Sequence, residues 1–205
     1  MTVAIKICGL TDKKQALEIS KLGVNAIGFI LYPPSPRFIE LDLLQSITAE
    51  LPPFVKGVGV FVNKPLDDLI TLFNQSGLDL AQLHGEESPE YCQELGKQGV
   101  PWIKTIHLKS MEDLKKIEEY PGNSFLLDAW SSTEYGGTGK TIDWSLAREA
   151  ALMANIILAG GITPFNVQEA IKEVKPYGVD VSSGVEVSPG IKSIEKVTNL
   201  LSQIK

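Results

Sequence analysis

Eight short apolar runs, at 3–7, 26–31, 57–62, 78–83, 102–106, 124–128, 156–159 and 178–181, punctuate the 205 residues, and a longer amphipathic stretch follows each. Runs this short and this rich in Val, Ile and Leu suit strands buried on both faces. The stretches between them carry helical spacing, as with Ala16, Leu17, Ile19 and Leu22, or Val167, Ala170, Ile171 and Val174. Their starts have capping chemistry: Ser88 before Pro89, Ser110 with Asp113 three positions on, Thr163 before Pro164, and Pro65 after Asn63-Lys64. The weakest helical pattern is 42–51, where Leu43, Leu44 and Ile47 are cut short by Pro52-Pro53. Strands alternating with helices require parallel pairing through right-handed crossovers. An open doubly wound sheet is one solution. Eight repeats of about 25 residues favour the other, an α/β single-domain (β/α)8 barrel with eight parallel strands over 1–205, small beside the ~250 residues usual for that architecture.

Composition narrows the partners. A net charge of −6 argues against nucleic-acid and anionic-membrane surfaces. The first apolar run stops after seven or eight positions without the cationic start of a signal peptide, and no stretch approaches the ~18 apolar residues of a membrane span. The expected setting is the cytoplasm, as monomer or homodimer. Cys8 and Cys92 are too few for a disulfide framework. Cys92 falls on the apolar stripe of a helix and reads as a buried, inert thiol, whereas Cys8 ends a strand just before Gly9.

A parallel barrel builds its active site at the C-terminal ends of its strands. Those ends read Cys8-Gly9, Tyr32-Pro33-Pro34-Ser35-Pro36-Arg37, Asn63, Gln82-Leu83-His84-Gly85, Ile106-His107, Asp128, Gly160-Gly161 and Asp180-Val181-Ser182-Ser183-Gly184. A thiol, a carboxyl, a guanidinium, imidazoles and two glycine-rich turns therefore gather at one end. The turns after strands seven and eight lie where such barrels hold a phosphate on backbone N–H groups, although both could be plain tight turns. The long stretch 129–141, with Gly136, Gly137 and Gly139, suits a lid over a bound substrate; its Gly139-Lys140-Thr141 lacks the spacing of a nucleotide phosphate loop. No cluster is spaced for metal ligation.

Lys6-Ile7-Cys8-Gly9, Pro33-Pro34-Ser35-Pro36-Arg37, Gln82-Leu83-His84-Gly85-Glu86, Leu126-Leu127-Asp128, Tyr135-Gly136-Gly137-Thr138-Gly139-Lys140-Thr141, Leu158-Ala159-Gly160-Gly161 and Asp180-Val181-Ser182-Ser183-Gly184-Val185-Glu186 together resemble the phosphoribosylanthranilate isomerase family of tryptophan biosynthesis. The resemblance runs from the first strand to the last. It implies a small (β/α)8 barrel without metal or organic cofactor, acting on a phosphorylated small molecule by an Amadori rearrangement. It further implies Asp128 as general acid, Cys8 as general base and Arg37 at the anthranilate carboxylate, with the phosphate on Gly160, Gly161, Ser182, Ser183 and Gly184. Asp180 resembles a residue near the sugar hydroxyls, or it caps the turn that follows. His84 lines the pocket or is a structural turn residue, and His107 matches no motif.

Both proton-transfer roles demand shifted ionisation, an Asp held neutral and a Cys held as thiolate, so positive charge near Cys8 would help. Lys6 is the neighbouring cation, but strand alternation is expected to send it to the face opposite Cys8. Competing readings are a barrel that binds a phosphosugar without catalysis, or a related enzyme acting on a ribulose phosphate. The epimerase type would need metal ligands, and the indole-glycerol-phosphate synthase type would need inward lysines, for which Lys104 is the sole candidate.

Overall fold

The computed structural model describes residues 3–129 and 143–204. Its strands are β1 (Ala4–Cys8), β2 (Ala26–Ile30), β3 (Lys56–Phe61), β4 (Leu80–Leu83), β5 (Trp102–Leu108), β6 (Ser124–Ala129), β7 (Asn155–Leu158) and β8 (Gly178–Val181). They pair in parallel in sequence order, and β8 returns to β1 through Ala4↔Gly178 and Ile7↔Val181, closing the barrel. Around it lie α1 (Lys13–Ser20), α2 (Leu41–Thr48), α3 (Leu66–Ser76), α4 (Pro89–Lys97), α5 (Lys115–Glu119), α6 (Trp144–Met153), α7 (Val167–Val174) and α8 (Ile194–Ile204). The α2 helix forms in spite of Pro52-Pro53, because Leu44 and Ile47 bury fully on the barrel. Most of the stretch read as a lid, 130–141, lies outside the described residues.

Side-chain alternation divides every strand between two cores. Ile5, Ile7, Ile27, Phe29, Phe125, Leu127, Ile156, Leu158, Val179 and Val181 face outward into the layer between strands and helices. The inner face holds a small apolar plug of Ile103, Leu126 and Ala159 with Leu80 and Ile157 against it. Toward the strand C-termini the inner face turns polar, and Lys6, Gln82, Thr105, Asp128 and Asp180 are all buried there. Ser88 caps α4 by accepting from the Tyr91 N–H, and Ser110 with Asp113 forms the expected capping box, which opens a single 3-10 turn ahead of α5. The last helical pattern before β8 begins later than its sequence signal. Thr163 and Asn166 close on each other, Asn166 Oδ1 accepting from the Thr163 N–H, and α7 starts only at Val167.

Two features were not legible beforehand. A short hairpin of β9 (Glu186–Ser188) and β10 (Ile191–Lys192) follows β8, pairing antiparallel. And β5 runs on to Leu108, so His107 belongs to the strand.

Candidate active site

The strand C-termini open into one pocket. Cys8, Arg37, His84, Asp128, Gly160, Gly161, Asp180, Ser182, Ser183 and Gly184 all line it, with apolar walls from Ile30, Val60, Val62 and Ile162. Every site residue nominated from the sequence is therefore gathered in one place. Cys8 arrives on β1 and Asp128 on β6, from opposite sides of the barrel.

Around Cys8 the expectation about Lys6 is overturned. Positions 6 and 8 are two apart on one strand, so with a side-chain period of two they share a face, and both point into the barrel. Lys6 Nζ and Cys8 Sγ converge on Gly28, and Nζ lies 2.9 Å from Asp180 Oδ2. All three side chains are buried. Room for them comes from Gly28, the register partner of Cys8, where a Cβ would stand 2.7 Å from Cys8 Sγ and 3.0 Å from Lys6 Nζ. Burial pushes the Cys8 thiol above its ordinary value; Lys6 pulls it back most strongly, Asp180 pushes it up and Lys192 also pulls it down. Asp180 uses one oxygen on Lys6, while Oδ1 is buried in the pocket wall without a partner among the described residues. It does not cap the turn after β8, which has no side-chain cap. A buried ion pair is weak evidence for stability, since taking two charges out of water offsets their attraction, but removing one partner typically costs about 3–5 kcal/mol. A pair that contributes little net stability yet sits beside the thiol suggests a chemical reason for its presence.

Asp128 is met by His84, whose Nε2 lies 3.4 Å from Asp128 Oδ2. The other ring nitrogen, Nδ1, is 3.0 Å from Gln82 Nε2 and 3.0 Å from Thr105 Oγ1. Both groups are within hydrogen-bond distance of Nδ1, while Nε2, which makes no hydrogen bond among the described residues, faces the carboxyl. His107 stands edge-on to His84 at 5.4 Å between ring centroids, and burial first, then His84, hold it below the ordinary histidine value. Lys104 is not inward, as expected, but outward, because Ile103, Thr105 and His107 take the inner positions of β5. There it binds Glu87 at 3.0 Å and the Gly85 carbonyl at 2.6 Å. Glu87 also accepts from the Asn63 and Gly85 N–H groups, so this buried pair ties down the loop that carries His84.

Arg37 reaches the pocket from the loop after β2, its stem packed where a Cβ on Gly9 would come within 2.7 Å of Cδ. Nε and Nη2 donate to the two carboxylate oxygens of Glu186 at 2.9 and 2.8 Å. Lys192 Nζ binds the same carboxylate at 2.7 Å and approaches Ser182 Oγ at 3.3 Å. Burial works against the Glu186 charge, but these two cations prevail and bring its carboxyl down to about 2. Lys192 was not foreseen, because its hairpin lies beyond the last strand and carries no periodic signal. The glycine-rich turns complete the wall. Gly160 and Gly161 take φ of +75° and +67°, conformations that favour glycine, and a Cβ on Gly184 would land on the Ile162 carbonyl oxygen.

A closed parallel barrel with a thiol, a carboxyl and two glycine-rich turns facing one pocket at its C-terminal mouth defines the class: a (β/α)8 enzyme. The comparison with known proteins narrows this. The family model for N-(5'-phosphoribosyl)anthranilate (PRA) isomerase matches residues 5–203, and the chain belongs to that family. It is 44% identical over 201 residues to the N-(5'-phosphoribosyl)anthranilate isomerase of Citrifermentans bemidjiense, covering 98% of this chain and 96% of that one. The phosphoribosyl anthranilate isomerase of Thermus thermophilus superposes with a TM-score of 0.90 at 36% identity, covering 98% of both chains. A third relative, solved in complex with reduced 1-(o-carboxyphenylamino)-1-deoxyribulose 5-phosphate, superposes at 0.87 with 35% identity and the same coverage. Among the described residues no group of His, Cys, Asp and Glu could hold a metal, and no helix is long and apolar enough to cross a membrane.

Proposed function

We propose that this chain converts N-(5-phosphoribosyl)anthranilate into 1-(2-carboxyphenylamino)-1-deoxyribulose 5-phosphate, with Asp128 as general acid and Cys8 as general base. Asp128 gives its proton to the furanose ring oxygen, the C1′–O bond breaks, and the anilinic nitrogen lone pair forms the iminium. The Cys8 thiolate then removes the C2′ proton, and the resulting enolamine tautomerises to the ketone. The protein exchanges only protons with the sugar, and the ring-opening and C2′ protons are each handled by a side chain on a strand end, where the geometry is held by the barrel. The observation that carries this reading is the meeting of Cys8 and Asp128, from opposite sides of the barrel, in a pocket that also holds the glycine turns and Arg37. His84, with Nε2 3.4 Å from Asp128 Oδ2, is assigned to orient that carboxyl. The setting is cytoplasmic, with the chain acting as a monomer or a homodimer.

The phosphate is assigned to the N–H groups around Gly160, Gly161, Ser183 and Gly184, with Lys192 behind Ser182. Gly184→Ala tests this, since the new methyl meets fixed backbone and must displace the turn. Overpacking of about 1–3 kcal/mol translates into roughly 10- to 100-fold weaker competitive inhibition by inorganic phosphate. An unchanged inhibition constant would move the phosphate elsewhere.

Arg37 is assigned to the anthranilate carboxylate, with Glu186 fixing the guanidinium plane from its Nε edge. Arg37→Ala is expected to raise KM about 10- to 100-fold, from the roughly 1.5–3 kcal/mol of a hydrogen bond to a charged group, with kcat changed far less. Steady-state kinetics on phosphoribosylanthranilate separates the two, and an unaltered KM would remove Arg37 from binding. The whole assignment is tested by adding the protein to freshly prepared phosphoribosylanthranilate in metal-free buffer. Loss of substrate no faster than the spontaneous background would defeat it.

A further inference from the structure

Two side chains converge on the notch that Gly28 leaves in the barrel wall: Cys8 Sγ and Lys6 Nζ, 2.7 and 3.0 Å from the point where a Cβ would stand. We propose that Lys6 is a positioning residue for the base: its ammonium, pinned by Asp180, is aimed at the Cys8 sulfur and stabilises the thiolate that accepts the C2′ proton. This deepens the reading of Cys8 as base and rests on it.

The geometry leaves Lys6 little else to do. It is buried on the inner face, away from the helical layer, and contacts Asp180 and Cys8. Asp180 Oδ2 fixes the ammonium at 2.9 Å, while Asp180 Oδ1 remains buried in the pocket wall, so the same carboxylate that holds Lys6 can meet a substrate hydroxyl. The charges facing Cys8 are Lys6 on its own strand, Asp180 on β8 and Lys192 on β10, while the register partner on β2, Gly28, contributes none. Farther out, Arg37 and Lys192 share Glu186, which neutralises much of their field. Lys6 is thus the principal cation acting on the sulfur, and it keeps its proton: burial works against the charge, but Asp180 and Cys8 more than offset that and hold the ammonium above its ordinary value.

The test reads ionisation directly. Protein carrying cysteine labelled with carbon-13 at Cβ, in a Cys92→Ala background, is titrated by NMR, the Cys8 resonance being assigned by its disappearance in Cys8→Ala. Lys6→Met is expected to raise the Cys8 midpoint by about one pH unit or more, with a matching loss of roughly tenfold or more in kcat near neutrality. Asp180→Asn removes the opposing charge and is expected to lower the midpoint, a sign that general loosening of the wall would not produce. Lys6→Arg retains the charge and should leave the midpoint close to that of the parent. A midpoint unmoved in folded Lys6→Met, or one that rises in Asp180→Asn, overturns the proposal. Should Lys6→Met not fold, the Asp180→Asn and Lys6→Arg titrations decide it alone. Failure of the base assignment looks different: Cys8→Ala would then turn over normally, whatever Lys6 does to the sulfur.

Discussion

Cys8→Ala is expected to lower kcat by about 10²- to 10⁴-fold, the usual contribution of a positioned proton-transfer group, while KM stays within a few-fold. The Arg37–Glu186 pair and the glycine turns take no hydrogen bond from the thiol among the described residues, so its removal is expected to leave both ends of the substrate anchored. Lys6 is held as an ammonium and has no lone pair to offer, and one oxygen of Asp180 is committed to Lys6. Cys8→Ser should fall nearly as far, because it keeps the shape and loses the acidity. Steady-state kinetics on the two variants, with product binding as a check on integrity, reads the outcome; turnover near that of the parent would exclude Cys8 from the mechanism.

Asp128→Asn is expected to cost a similar factor, about 10²- to 10⁴-fold in kcat, for the opposite reason. The amide is isosteric and can still face His84, but it has no proton to give the ring oxygen, so the sugar stays closed. The companion substitution His84→Gln removes the ring that orients Asp128 without removing the acid, and a smaller loss is expected there. Near-normal turnover of Asp128→Asn would place the acid elsewhere.

Much of this site could be read before any coordinates, because in a parallel barrel the chemistry must sit where apolar runs end. That rule puts Cys8, Arg37, His84, Asp128, Asp180 and the two glycine turns at the strand ends, and the family resemblance supplied the roles of Cys8, Asp128 and Arg37. What escaped notice was of two kinds. One was a matter of parity: Lys6 faces Cys8 because two residues make a full strand period, and Lys104 faces away because Thr105 holds the inner position beside His84. The alternation was available in the sequence, and strand β5 running on to Leu108 settles its phase there. The other kind has no local signal. Arg37 and Glu186 are 149 residues apart, and Lys192 meets them only because a hairpin folds back over the end of β8. Such clusters are written in tertiary geometry, and their purpose appears only when the pocket is assembled.

The central claim is that one neutral carboxyl and one thiolate act together, and the pH profile of kcat/KM for phosphoribosylanthranilate tests it most directly. The active form requires Asp128 protonated and Cys8 ionised at once. With the thiol held above its ordinary 9.0 by burial, Cys8 titrates after Asp128, and the active fraction is a small plateau between the two pKa values. Below the plateau the thiolate disappears faster than the acid is gained, and above it the neutral carboxyl disappears once the thiol is fully ionised. The account therefore predicts a profile that falls on both sides, with its alkaline limb beyond pH 9.0. A profile that is flat, or that falls on one side only, would contradict it.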